Sequence, residues 1–200
     1  YGWQATDANI HLTCTDTEGC AITKYRVNSG AWLTYDTNIL ISADGNNYLN
    51  YYSQDIYGNY EYINSVWVAI DKFAPSTTDT HLDGWHTGTS INLAPTDSGS
   101  GVNETKHIVD LNTDGWVFPT PIVFNSDGNH RVDYNSIDNV GNIEATHTIW
   151  AALDNITPTT ADDHNAGGQI IDANVHLTCS DSNSGCFLTQ YRIDSNAWLA

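Results

Sequence analysis

Apolar and polar residues alternate along this chain in short runs. Turn-forming residues lie between the runs. Residues 10–14 alternate with a period of two, and so do residues 91–94 and 175–178. A period of two is typical of strands that bury one face, and turn-forming residues, among them Asp-Gly and Gly-Asn pairs, separate the runs about every 8–12 residues. The pattern predicts six or seven short strands in each stretch of some 80 residues, and no helix of useful length. Further predicted strands lie at 23–27, 39–41, 48–52, 106–109, 122–124, 131–134 and 190–193.

The same landmarks return at a nearly constant spacing. Residues 55–61 read DIYGNYE and residues 138–144 read DNVGNIE, and their shared glycines, Gly58 and Gly141, stand 83 positions apart. Pro75 and Pro158 have the same spacing. Self-similarity at this period is typical of modular proteins that place one small unit after another. We therefore predict an all-β fold of tandem antiparallel β-sandwiches, each of about 83 residues. The predicted units are 1–78, 79–161 and a partial unit at 162–200.

The charge balance excludes several classes of partner. The chain has 24 acidic and 6 basic residues, a formal net charge of −18. So few cations cannot neutralise a phosphate backbone, which argues against nucleic acid as a partner. The apolar runs are only a few residues long, whereas a membrane-spanning helix needs about 20. The sequence therefore predicts neither nucleic-acid binding nor membrane insertion, and its acidity suits a divalent cation as well as simple solubility.

The cysteines indicate the compartment. They form two close pairs at the same position of the repeat, and the middle unit lacks both members of the pair together, as bonded partners do. We predict two local disulfides, each worth about 2 kcal/mol because the closed loops are short. Such bridges imply an extracellular or cell-surface setting. The alternative is a reduced metal site, for which two cysteines without close histidine partners are a poor signature. The predicted pairs are Cys14 with Cys20 and Cys179 with Cys186.

A pattern that runs through the units resembles a known group of proteins, and four stretches of the first unit show it. Residues 12–19 read LTCTDTEG, 23–27 read TKYRV, 51–61 read YYSQDIYGNYE and 71–78 read DKFAPSTT. This pattern resembles the Ig-like repeats, related to fibronectin type III domains, of large secreted and cell-surface proteins of bacteria and archaea. The resemblance covers the whole chain and implies Ig-like sandwiches that serve as stalks, adhesins, fibre units or accessory modules of secreted enzymes. The middle unit departs most, since it lacks cysteines and has His107 where Tyr25 stands.

Oxygen-bearing side chains surround the repeated Gly-Asn turn. Spaced two or four residues apart, they could bind calcium together with the junction acids Asp71 and Asp154. The alternative is structural: the aspartate caps the turn, the glycine takes a positive φ, and the glutamate faces solvent. We therefore predict no cofactor, with calcium as the alternative. The candidate ligands are Asp55, Asn59 and Glu61 in the first unit and Asp138, Asn142 and Glu144 in the second.

A group of tyrosines belongs to the first unit alone, because the corresponding positions of the second unit are not aromatic. Alternation along the strand predicts that some of these rings are exposed. Exposed tyrosines could contact another subunit, stack on sugar rings, or simply cover the sheet surface. The group comprises Tyr48, Tyr52, Tyr57, Tyr60 and Tyr62.

Two positions match the glycan acceptor pattern, Asn103 and Asn155, and we expect Asn103 to be the better one because it is placed in a turn. The sequence shows no nucleophile elbow and no His-Glu-x-x-His motif. We predict no catalytic residues and no enzymatic activity.

Together these features predict a structural or adhesive repeat segment of an elongated extracellular microbial surface protein, such as a stalk or filament subunit. Its partners would be neighbouring repeats, further copies of itself, or surface glycans. One alternative is a carbohydrate-binding or spacer module of a secreted hydrolase, and another is a calcium-rigidified adhesin. The third unit carries only the early strands of a sandwich, so we expect further chain or another molecule to complete it.

Overall fold

A computed structural model describes residues 2–88, 90–112, 115–117, 121–164, 167–168 and 174–200. The chain forms two compact units. The first comprises Tyr1–Thr78, Ala94–Lys106 and Tyr134–His147, and the second comprises Asp79–Leu93, His107–Asp133 and Thr148–Ala200. We keep the terms first, second and third repeat for residues 1–78, 79–161 and 162–200 of the sequence, and this three-part domain division stays a prediction.

The described residues form strands and no helices, so the predicted all-β sandwich class is confirmed. None of the described residues forms a helix that could cross a membrane. The strands are β1 Trp3–Gln4, β2 Ala8–Ile10, β3 Cys20–Val27, β4 Leu33–Thr34, β5 Ile39–Ile41, β6 Gly45–Asp55, β7 Asn64–Ile70, β8 Ser76–Asp79, β9 Trp85–His86, β10 Ser90–Ile91, β11 Leu93–Thr96, β12 Val102–Val109, β13 Ile122–Val123, β14 Gly128–Asp138, β15 His147–Leu153, β16 Thr159–Asp162 and β17 Leu177–Ser180.

The first repeat buries its core between two sheets. A five-stranded sheet has the order β1-β7-β6-β3-β4, and β2 pairs with β5 in a separate antiparallel sheet. Alternation places Leu49 of β6 and the two isoleucines of β5 on inward faces, where Leu49 is fully buried. Burying a leucine side chain of this kind contributes about 2 kcal/mol. The buried cluster consists of Ala8, Ile39, Ile41, Leu49, Val68 and Ile70.

The strand pairing of the second repeat follows the same order. A four-stranded sheet runs β12-β14-β15-β9, and β10 pairs with β13. Trp85 of β9 lies opposite Ala152 of β15 in a parallel pair, as Trp3 lies opposite Ala69. These two edge pairs are parallel, whereas the prediction was of antiparallel sheets throughout. Val132 stands 83 positions after Leu49 and is equally buried.

Two predicted strands are wrong, and both lack a pairing strand. The alternating run at 10–14 forms a strand only up to Ile10, where β2 ends. The run at 190–193 contributes one isolated bridge, between Tyr191 and Leu199. Alternation shows which face would be buried, but a strand also requires a neighbour for its backbone N–H and C=O groups.

Both predicted disulfides are formed, Cys14 with Cys20 and Cys179 with Cys186. The described residues contain no free cysteine. The sulfurs are therefore not available as the metal ligands of the alternative interpretation.

Candidate functional site

The segment that leads from the end of β7 into the first residues of β8 is held by side chains that lie far along the chain. This linker, residues 71–77, follows Ile70 at the end of β7 and contains Pro75. It contacts a group of polar residues in the second repeat, and all of these contacts lie within the first compact unit. We call this group the linker cradle and define it as Asp97, Ser100, Ser136, Asp138, Asn142 and Glu144.

Glu144 holds the end of the linker. Its Oε1 accepts a hydrogen bond from the backbone N–H of Thr77 at 2.7 Å, and its Oε2 accepts one from the Thr77 hydroxyl at 2.6 Å. The backbone N–H of Ser136 also donates to Oε2, at 3.1 Å. Glu144 is only 7% exposed, so the expectation that this glutamate faces solvent is wrong. A buried carboxylate is tolerated here because donors surround both oxygens.

Asn142 and Asp138 hold the start of the linker. Asp138 Oδ1 accepts from the N–H groups of Val140 and Asn142, so it caps the turn as the structural alternative expects. Gly141 between them has a φ of 95°, a conformation that glycine adopts without strain. Asp138 Oδ2 also accepts from Asn142 Nδ2 at 2.7 Å, and the same Nδ2 donates to the Asp71 carbonyl at 2.9 Å. Asp138, which caps the turn, therefore also orients the Asn142 side-chain amide that binds the linker.

Asp71 is almost fully buried against the turn of residues 97–101. Its Oδ2 accepts from the N–H of Ser100 at 2.6 Å. Burial raises the pKa of this carboxyl, but the hydrogen bonds from Ser100 and from the Phe73 N–H outweigh burial, and the net pKa is lowered. A Cβ on Gly99 would overlap the Asp71 carboxylate, so a glycine is required here for close approach.

Three carboxylates converge at this point. One oxygen from each of Asp71, Asp97 and Asp138 lies within 4.8 Å of the others, and Asp71 and Asp138 are buried. Oxygen ligands from several carboxylates are what calcium prefers. The candidate ligands chosen from the sequence included Asp138 and Asp71 but not Asp97. Asp97 caps its turn, since its Oδ2 accepts from the N–H groups of Gly99 and Gly101. Calcium binding stays a prediction.

A second junction, within the second compact unit, repeats part of this arrangement. Asp154 follows β15, and its Oδ2 accepts from the N–H of Ser184 at 3.0 Å. Hydrogen bonds from Ser184 lower the pKa of Asp154. Asp181 caps the adjoining turn through the N–H groups of Asn183 and Gly185. The contact of a linker aspartate with the serine of an acidic turn thus occurs twice.

The equivalent residues of the first repeat have the same internal geometry but contact no linker in the described residues. Asp55 Oδ1 accepts from the N–H groups of Tyr57 and Asn59 at 2.8 Å, and its Oδ2 accepts from Asn59 Nδ2 at 2.7 Å. The Asn59 side chain is the main cause of the lowered pKa of Asp55. Glu61 is exposed and accepts from Asn64 Nδ2. For Glu61 the solvent-facing expectation holds.

Most of the predicted tyrosine group is exposed. Tyr62 is 96% exposed, and Tyr48, Tyr57 and Tyr60 each expose more than half of their surface. Tyr52 is half-buried, because its ring packs edge-on against Trp32 and lies near that of Tyr60. Arg26 lies over the Trp32 ring. The binding role of this face stays a prediction.

The two glycan acceptor positions are both exposed. Asn103 is the second residue of β12, so its placement in a turn is wrong. Asn155 donates from its backbone N–H and from Nδ2 to Asp127 Oδ1. Glycosylation at either position stays a prediction.

Sequence reasoning missed Thr77, Ser100 and Ser136 as members of the site. Thr77 was visible as part of a Pro-x-Thr pattern at 75–77 that returns at 158–160, but only the prolines were used, as repeat landmarks. Ser100 recurs as Ser184 in the third repeat but is replaced by glutamate in the first, so the position did not stand out as a repeat landmark.

Comparison with solved structures finds eight similar chains. The chain is similar to a structure titled as fibronectin(III)-like modules of CbhA from Clostridium thermocellum, at 14% sequence identity and a TM-score of 0.36. The match covers 76% of this chain and 87% of that chain. No protein-family model matches the chain, and no curated protein matches it.

Proposed function

We propose that this chain is a structural segment of an extracellular microbial protein, in which Ig-like repeats are held in fixed succession by linkers docked on the following repeat. In this role it extends or spaces other parts of a surface stalk or filament. The observation that supports the proposal most directly is the hydrogen bonding of Thr77 to buried Glu144. A flexible tether would leave its backbone to water, whereas this one is bound at both ends by side chains.

Three further features support this role. The disulfides suit an oxidising compartment outside the cytoplasm. The net charge of −18 favours solubility and resists non-specific association of long arrays. The recurrence of the sequence itself suits a protein that adds length by adding units.

The proposal is tested by loosening the linker in the full chain. We expect small-angle scattering of the wild-type chain to show the bell-shaped Kratky plot of a folded chain. The double variant Thr77→Val with Glu144→Gln should shift the curve towards flexibility, because the end of the linker loses its hydrogen bonds to a charged carboxylate. Glu61→Gln, the equivalent change in the first repeat, is the matched control and should leave the curve unchanged. Identical curves for the wild type and the double variant would contradict a rigid junction.

A calcium-rigidified form of the same function is favoured by the triad Asp71, Asp97 and Asp138. A cation that binds only the folded state raises stability by about 2.7 kcal/mol at a hundredfold excess over its Kd. On this version the melting temperature rises between EDTA and millimolar calcium chloride, and Asp97→Asn reduces the rise. An unchanged melting temperature would exclude calcium binding as the cause of rigidity, and the docking of the linker would remain as the explanation.

A further inference from the structure

The second and third repeats each receive an incoming strand from the segment that precedes them. β8 pairs with β11, and β16 pairs antiparallel with β17. In the latter pair Thr160 lies opposite Cys179. Cys179 corresponds to Cys14 in the repeat, so the equivalent edge of the first repeat is residues 12–15. Within the described ranges, no strand pairs with that edge.

A pocket of about 300 Å³ adjoins this edge in the first compact unit. Its walls include Cys14, Asp55, Asn59, Tyr60 and Glu61. Three of these residues are the counterparts of Asp138, Asn142 and Glu144, which hold the linker in the second repeat. The pocket is therefore the first repeat's own version of the linker cradle.

Two contacts of the occupied cradle recur in the open one, although the Glu61 carboxylate accepts from Asn64 Nδ2 and the Glu144 carboxylate from the Ser136 N–H. Glu61 N–H donates to the Ser53 carbonyl, as Glu144 N–H donates to that of Ser136. The Ser53 hydroxyl meets Thr23 at 2.9 Å, as that of Ser136 meets Thr105 at 2.8 Å. The two cradles also differ in how deeply the equivalent serine and glutamate are buried. Ser136 and Glu144 are buried where Thr77 contacts them, while Ser53 is half-buried and Glu61 is exposed.

We propose that this open edge and pocket form a docking site for the linker strand of another repeat of the same type. The occupant is an extended segment with the pattern Pro-x-Thr-Thr, as at residues 75–78. Its first threonine donates from N–H and hydroxyl to Glu61, and a backbone carbonyl before the proline accepts from Asn59 Nδ2. The strand after the proline pairs antiparallel with residues 12–15, a form of strand addition.

The bridged turn of the first repeat differs from its counterparts, and this difference means that the docked segment needs no aspartate equivalent to Asp71. The bridged turn is one residue shorter in the first repeat, with a cysteine separation of 6 against 7 in the third. Glu18 stands in place of Ser100, and its N–H donates to Asp16. An incoming aspartate would meet this glutamate, so the threonine and the backbone of the segment carry the binding.

The inference deepens the proposed structural function and rests on it, because the occupant is a linker of the same kind. The test uses the full chain labelled with ¹⁵N and a synthetic peptide with the sequence of residues 73–80. We expect saturable chemical-shift changes at residues 12–15, Asn59 and Glu61. Glu61→Ala, or a peptide with valine at the first threonine, should weaken binding about tenfold, since hydrogen bonds to a charged group are lost. Asp36→Asn is the control outside the pocket and should bind as the wild type does.

A second form of the experiment detects docking even if the free peptide binds the chain weakly. The same peptide is joined ahead of Tyr1 through a short Gly/Ser linker, which raises its effective concentration to the millimolar range. Protection of the amides at 12–15 against hydrogen exchange is the expected result. No protection in the joined form, or binding that ignores Glu61→Ala, would overturn the docking site. The proposed function would survive that outcome if the Thr77 and Glu144 double variant still loosens the linker.

Discussion

Glu144→Ala is expected to lower the free energy of unfolding by about 3 kcal/mol, because it leaves several buried donors without an acceptor. The backbone N–H groups of Thr77 and Ser136 lose their acceptor. His147 Nε2 loses its contact with Glu144 at 3.0 Å, whereas the Thr77 hydroxyl keeps the Ser136 hydroxyl as a partner at 2.6 Å. The measurement is urea unfolding of the full chain followed by tryptophan fluorescence.

Glu61→Ala is the matched control, because it occupies the same repeat position but is exposed. Its effect should stay within about 0.5 kcal/mol. Equal losses in the two variants would show that burial by the linker has no energetic consequence, and the docked junction would be wrong.

Gly99→Ala is expected to lower stability by about 2 kcal/mol through steric conflict alone. The φ of Gly99 is not in the positive range, so backbone strain does not contribute. The added Cβ would overlap the Asp71 carboxylate, which is buried and held by the Ser100 N–H and cannot move aside without losing that bond.

A double-mutant cycle isolates this effect. In an Asp71→Ala background the conflict is absent, so Gly99→Ala should then change stability by less than about 0.5 kcal/mol. Ser98→Ala, an exposed substitution in the same turn, serves as the control for loss of local turn structure. Additive effects of Gly99→Ala and Asp71→Ala would mean that Asp71 does not occupy this turn.

The periodic pattern was enough to predict the fold class, because burial on one face of a strand is a local property. Leu49 and Val132 occupy equivalent inward positions, and the alternation around each identified both strands. The disulfides were predictable for a similar reason, since both partners of each pair lie within a few residues and disappear together in the middle repeat.

The role of the glutamates was not predictable from their surroundings. Glu61 and Glu144 follow nearly the same local sequence, yet one is exposed and the other is buried. The difference comes from Thr77, which lies 67 positions before Glu144. A contact at that separation depends on how the chain folds and leaves no periodic signal. The run at 10–14 was predicted as one strand for the same reason, because alternation cannot show whether a neighbouring strand is present.

The account depends most on the docking of the linker on Glu144, and hydrogen exchange at the Thr77 amide tests it most directly. That N–H donates to a buried carboxylate, so we predict exchange as slow as that of amides within β14, and much faster exchange in Glu144→Gln. Exchange of the Thr77 amide at the rate of an unstructured peptide in the wild-type chain would contradict the account.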